Sequence, residues 1–262
     1  MGRTRLLAAS LVLPFAVAPS VRGSEEGTPV QIGVRRMVES KILGESRPIL
    51  VHLPDGYEKE SARHPVLYRL DGEGFLFLDA VAAERSLAGF AERIPAHIVI
   101  GIVNTDRGRD LSMVHGGERF LRFIVEELIP FVDEGYRTTP ERTLCGQSAS
   151  ANFAAQILVR KPMLFAGYIL GSLGPGAGEL DGLLQRLSSE WPAQPGMAVF
   201  VTLGRQDSYD PTGERSRNAE AFVAALRRAG GPRVRGEVRV YEDEGHVPGP
   251  GVYDGLKWMH TR

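Results

Sequence analysis

The chain has 262 residues, a length that favours one large α/β domain with its own core over two small ones. Its 43% hydrophobic and 24% charged content is that of a soluble globular protein rather than a disordered one. A formal net charge of −1, with no long basic run, argues against nucleic acid as the main partner.

The N-terminus reads as a secretory signal over residues 1–23. Arg3 and Arg5 precede an apolar run from Leu6 to Ala18, and small residues follow up to Gly23. The run is too short to span a bilayer as a helix. Cleavage after Ala18 or after Gly23 fits the pattern. Residues 1–23 hold Arg3, Arg5 and Arg22 and no acid, so their removal takes the charge from −1 to −4. A periplasmic or secreted protein without stable membrane association is expected. The one cysteine, Cys145, precludes an intramolecular disulfide and reads as a buried packing residue.

From residue 24 onward, strands and helices alternate without repeats. Arg35–Ser40 and Pro48–Leu53 read as β segments around a turn at Gly44. Val66–Leu70 is a short strand entering Asp71-Gly72-Glu73-Gly74, with a helix expected from Phe75 to Arg93. His97–Val103 (HIVIGIV) lacks polar alternation after its first residue, as a strand buried on both faces does. Glu118–Glu134 carries Phe120, Phe123, Ile124 and Leu128 at helical spacing. Arg142–Cys145 predicts a strand, Ala149–Arg160 a helix and Ala166–Leu170 a strand. A glycine-rich, partly helical stretch covers 171–195. Met197–Leu203 is the next buried strand. The helix Thr212–Ala229 ends at Gly230-Gly231, a C-terminal glycine signal. Arg235–Tyr241 is the last strand and Val252–His260 the closing helix. This alternation predicts a single α/β domain: a mostly parallel central sheet with helices on both faces, and sites at the carboxyl ends of the strands.

Chemistry-bearing residues fall at those ends. Thr143-Leu144-Cys145 runs into Gly146-Gln147-Ser148-Ala149-Ser150 and then an alanine-rich helix. Strand, sharp turn and helix are the context of a nucleophile elbow, with Ser148 as nucleophile and small residues needed two places either side. Ser150 stands where the usual pattern has a second glycine. A serine hydroxyl needs a base. Of six histidines, His52 and His97 lie in or beside strands and His115 in a loop. His246 follows the last strand in Glu242-Asp243-Glu244-Gly245-His246, where the order Ser, acid, His places the base. Asp207, after the strand Met197–Leu203, is the chosen acid; Asp210, Glu214 or no direct acid remain open. Two backbone donors are needed for an oxyanion. Ala149 N–H is one. Glu73 N–H is preferred for the other, with Gly72 second. No metal-ligand spacing or dinucleotide fingerprint appears, so no cofactor is expected.

Several longer segments resemble the bacterial putative-esterase family of α/β-hydrolases, in the branch that contains periplasmic siderophore (enterobactin) esterases. They are RPILVHLPDGY (47–57), PVLYRLDGEG (65–74), IVIGIVNTDRGRDLS (98–112), RFLRFIVEELIPFVDEGYRT (119–138) and VYDGLKWM (252–259). The resemblance implies an ester hydrolase of small-molecule substrates, with its nucleophile at Ser148, its base at His246 and its oxyanion segment at Asp71–Glu73. Arg107, Arg109 and Asp110 fall in a loop shared with that family, read first as a bracing ion network and second as pocket residues. The family's usual elbow reads Gly-His-Ser-Leu-Gly-Gly; here it is Gly146-Gln147-Ser148-Ala149-Ser150-Ala151. An acyltransferase or thioesterase on the same machinery, or a non-catalytic binding protein, are the alternative readings.

Overall fold

The computed structural model describes residues 31–91, 93–188, 191 and 196–261, and its elements lie in the unit Ile32–Arg262. The signal expected over 1–23 lies outside the described residues. In chain order the elements are β1 (Val34–Ser40), β2 (Glu45–His52), β3 (His64–Leu70), α1 (Gly74–Glu84), β4 (Ile98–Ile102), α2 (Arg107–Asp110), α3 (Gly117–Phe123), α4 (Ile129–Gly135), β5 (Thr138–Gln147), α5 (Ala149–Arg160), β6 (Gly167–Gly171), α6 (Ala177–Ser188), β7 (Met197–Gly204), α7 (Glu214–Gly230), β8 (Val234–Tyr241) and α8 (Gly251–His260).

The eight strands form one sheet in the order β1-β2-β4-β3-β5-β6-β7-β8. β2 pairs antiparallel with both β1 and β4; every other pairing is parallel. Parallel neighbours require crossovers, which the helices provide. Alternate residues of the central strands feed two cores. Val66, Tyr68, Ile98, Ile100, Leu144, Leu170 and Val201 pack with α3 to α7 on one face. Leu67, Val99, Cys145 and Ile169 pack with Phe77, Val81, Val252 and Leu256 of α1 and α8 on the other. Both faces are therefore covered, and the strands read as apolar without alternation.

Two expected helices are interrupted. Phe75–Arg93 becomes α1 followed by a π-helical segment, Arg85–Phe90. Glu118–Glu134 becomes α3, a π-helical segment Ile124–Leu128 and α4. Pro130 stands at the start of α4, and its missing N–H removes one rung of the α ladder where the wider turn ends. Among the described residues no helix is long and apolar enough to cross a membrane.

Candidate active site

The turn after β5 places Ser148 at φ 57°, ψ −121°, a conformation that side-chain-bearing residues rarely adopt. It is held from both sides. Ser148 N–H donates to Gly171 O at the end of β6 (2.8 Å), and Ser148 O accepts from Asn152 N–H (3.0 Å). The reversal presses strand against helix: a Cβ at Gly146 would lie 2.5 Å from Ser150 O, so a glycine is required there. Ser150 is fully buried.

Ser148 Oγ lies 2.8 Å from His246 Nε2, and His246 Nδ1 lies 2.7 Å from Asp207 Oδ2. A carboxylate only accepts, so Nδ1 carries the proton and Nε2 accepts the Ser148 O–H. The second oxygen of Asp207 accepts from Tyr209 N–H (2.8 Å). Tyr209 was not singled out in the sequence, yet its ring centroid sits 4.5 Å from that of His246. The other acid candidates are placed elsewhere. Asp210 accepts from Ser216 N–H and O–H and from Arg215 N–H, satisfying the open start of α7. Glu214 is the exposed first residue of that helix. The base loop is fixed to the sheet: Gln147 Nε2 (2.8 Å) and Ser172 Oγ both donate to His246 O.

Ala149 is the first residue of α5, where backbone N–H groups have no intrahelical acceptor and the helix dipole favours negative charge. Gly72 is displaced from the donor role: its N–H is committed to Ile102 O in β4 (2.9 Å). The turn packs so closely there that a Cβ at Gly72 would lie 2.3 Å from Gly101 Cα. Glu73 N–H donates to Asp71 O (2.9 Å) across a three-residue turn. Such a bond is bent, and its N–H can be shared with a second acceptor.

The residue that organises this turn is Asp71, whose place in the expected oxyanion segment gives no sign of its side-chain role. It is buried and has φ 52°. Oδ1 accepts from Arg107 Nε (2.7 Å) and Asn104 Nδ2 (2.7 Å); Oδ2 accepts from Arg107 Nη2 (2.9 Å) and Ser150 Oγ (2.7 Å). Burial pushes its carboxyl up, but the bonds from Arg107, Ser150 and Asn104 outweigh that and hold it below the usual range. Arg107 thus lines the site. Arg109 and Asp110 are bracing residues instead. Asp110 is fully buried against Arg47 (2.6 Å) and Arg109 (2.7 Å), and Arg109 also holds Glu45 (2.9 Å). The Arg109 hydrogen bond is the main reason that Glu45 is lowered to about 2.

Ser148 and His246 open onto a cavity of about 460 Å³, walled by Phe75, Leu76 and Val247 and by the polar groups of Asp71, Glu73, Asn104 and Arg107. His52, His64 and His97 are structural, each bonded through Nδ1 to a main-chain carbonyl. His115 is exposed. Among the described residues no three His, Cys, Asp or Glu side chains are grouped to hold a metal ion.

Comparison with known proteins agrees with this architecture. BesA of Bacillus subtilis (strain 168), a ferri-bacillibactin esterase, is 29% identical over 165 residues, 52% of this chain and 56% of that protein. The chain spans a little over half the length of the curated relatives it matches. Among solved structures, an IroE-like serine hydrolase from Shewanella oneidensis superposes with a TM-score of 0.79 at 24% identity, covering 87% of this chain and 80% of that one. Siderophore hydrolase EstA from Aspergillus nidulans superposes with a TM-score of 0.68 at 23% identity, covering 95% and 99%. At these identities the structures speak to the fold, an α/β-hydrolase sheet. The sequence pattern of the family described as "Putative esterase" matches residues 40–224, well over half of the chain, and the protein belongs to that family.

Proposed function

We propose that the protein is a carboxylic-ester hydrolase working through an acyl-enzyme, with Ser148 as nucleophile, His246 as general base and acid, and Asp207 as the group that orients the imidazole. One observation carries the reading: the continuous link from Asp207 Oδ2 through His246 to Ser148 Oγ, at 2.7 and 2.8 Å, on the wall of an open cavity. Family membership supports the same reaction class.

In the first half-reaction Ser148 Oγ bonds to the acyl carbon as its proton passes to His246 Nε2, and the carbonyl π pair moves onto oxygen. Ala149 N–H and Glu73 N–H receive that oxyanion. Collapse expels the alcohol, which takes the proton from Nε2, and leaves the acyl group on Ser148. Water then repeats the sequence: its proton goes to Nε2, its oxygen bonds to the acyl carbon, and Ser148 leaves with the proton returned. Asp207 stays ionised throughout and stabilises the imidazolium. Substrates are small-molecule esters. Since BesA and EstA are named for siderophore hydrolysis, siderophore esters head the substrate panel, beside feruloyl, acetyl-sugar and short acyl esters. Residues 1–23 would direct the protein to the periplasm or outside the cell.

Labelling with a fluorophosphonate probe tests the reading. The wild type is expected to label at one residue and to hydrolyse p-nitrophenyl esters, and Ser148→Ala to do neither. Equal labelling of both proteins would remove Ser148 as nucleophile. A wild type that neither labels nor hydrolyses would favour a binding protein.

A further inference from the structure

We infer that Ser150 is a positioning residue for the reaction proposed above, pinning the turn that carries the Glu73 donor to the turn that carries the nucleophile. The inference rests on that esterase reading.

Ser150 occupies the first turn of α5 with no exposed surface. Its oxygen accepts from Gln147 N–H at 2.8 Å. Its single proton has two acceptors in reach, Asp71 Oδ2 at 2.7 Å and Gln147 O at 2.9 Å. The ionised carboxylate is the stronger acceptor, and Asp71 is held ionised by its other partners. The bond therefore runs across 79 positions of sequence, from the helix behind Ser148 to the end of β3.

Asp71 needs holding. Its φ of 52° is a strained conformation for a non-glycine residue, and it survives only where the surroundings over-determine it. Four hydrogen bonds fill its two oxygens. Three of them come from Arg107 and Asn104, on the segment that follows β4. The backbone bond at Gly72 also leads to β4. Ser150 alone among these partners belongs to the nucleophile's own turn and helix. Without its hydroxyl the 71–74 turn stays tied to β4, but its side-chain link to Ser148 is lost. An oxyanion donor must sit within roughly 0.5 Å of its productive place, and a displacement of about 1 Å costs on the order of a hundredfold in rate. Glycine, the usual residue at this place in the elbow, could not make the bond. The serine is thus an added brace rather than a tolerated small residue.

The experiment uses the whole chain with Ser150→Ala and Ser150→Gly, two variants so that a folding failure in one does not end the test. Active sites are counted by fluorophosphonate labelling to completion. Turnover of p-nitrophenyl acetate is expressed per labelled site, and hydrogen exchange of the 71–76 amides is measured without substrate. Expected are a ten- to hundredfold fall in kcat per site, KM within about threefold of wild type, and about tenfold faster exchange over 71–76. A merely structural serine would lower the labelled fraction and leave kcat per site unchanged, which overturns the inference. Unaltered exchange in both variants also overturns it, even if kcat per site falls. Wild-type protein that hydrolyses no ester and takes no label removes the esterase reading, and with it the catalytic half of this one.

Discussion

Replacing Glu84 by glutamine will remove a pH dependence from the stability of the fold. Glu84 ends α1 and is 2% exposed. Its Oε1 accepts from His97 N–H (3.0 Å), and its Oε2 lies 3.9 Å from His52 Nε2. Burial pushes its carboxyl from 4.5 up to about 7, against the pull of the His97 N–H. The folded chain therefore keeps a proton there that the unfolded chain loses above 4.5. Stability from this group is fully present below pH 4.5, falls as pH rises toward 7, and is flat beyond. At 1.36 kcal/mol per pKa unit the full span is about 3 kcal/mol, a large share of the usual 5–15 kcal/mol of a domain. Glutamine keeps an acceptor for His97 and cannot ionise. Glu84→Gln should match the wild type near pH 4.5 and exceed it at pH 8 by up to about 3 kcal/mol. His97 acts in the opposite sense: burial lowers it to about 3, so its contribution is lost as pH falls below 6.5. It is present in both proteins and cancels in their difference. Urea unfolding followed by circular dichroism, at steps from pH 4.5 to 8, measures that difference. A difference that stays constant within about 0.5 kcal/mol would refute the reasoning, because the carboxyl would then not be taking up its proton on folding.

Asp207→Asn should preserve the fold and reduce kcat by about a thousandfold or more. The asparagine amide can donate to Nδ1 and so stabilise the wrong tautomer, and steady-state kinetics with an unchanged thermal midpoint would check it. Asp210→Ala should do the reverse. Loss of its bonds to Arg215 and Ser216 at the start of α7 costs about 1 kcal/mol of stability, read from urea midpoints, while kcat at 25 °C holds.

The elements most legible in the sequence are those whose pattern is local. HIVIGIV predicts a strand buried on both faces, and Ile98–Ile102 is one, every residue buried. The alanine-rich helix Ala149–Arg160 has the expected bounds. The order of elements along the chain brings Ser148, Asp207 and His246 to the same edge of the sheet, because they follow β5, β7 and β8, which run parallel. What was not legible depends on distant partners. β2 inserts beside β4 rather than β3, and nothing within residues 45–52 encodes that neighbour. Strand β5 begins at Thr138, ahead of the expected Arg142, because Thr138 pairs with His64 across a register shift. Asp71 looks like an ordinary turn residue until Asn104, Arg107 and Ser150 converge on it from 33 to 79 positions away. Gln147 likewise shows its use only once His246 O is beside it, 99 positions on.

The two hydrogen bonds that Gln147 and Ser172 make to the His246 carbonyl have a consequence for divergence. The His246 backbone hangs from the ends of strands β5 and β6 as well as from its own loop. Residues 247–250 can therefore lengthen, shorten or change character while the imidazole keeps its station. Val247 in that stretch forms part of the cavity wall, so variation there reshapes what enters without disturbing what reacts. Selection for a new ester would find its freedom in this loop, and a directed library confined to 247–250 should yield altered substrate preference at little loss of turnover.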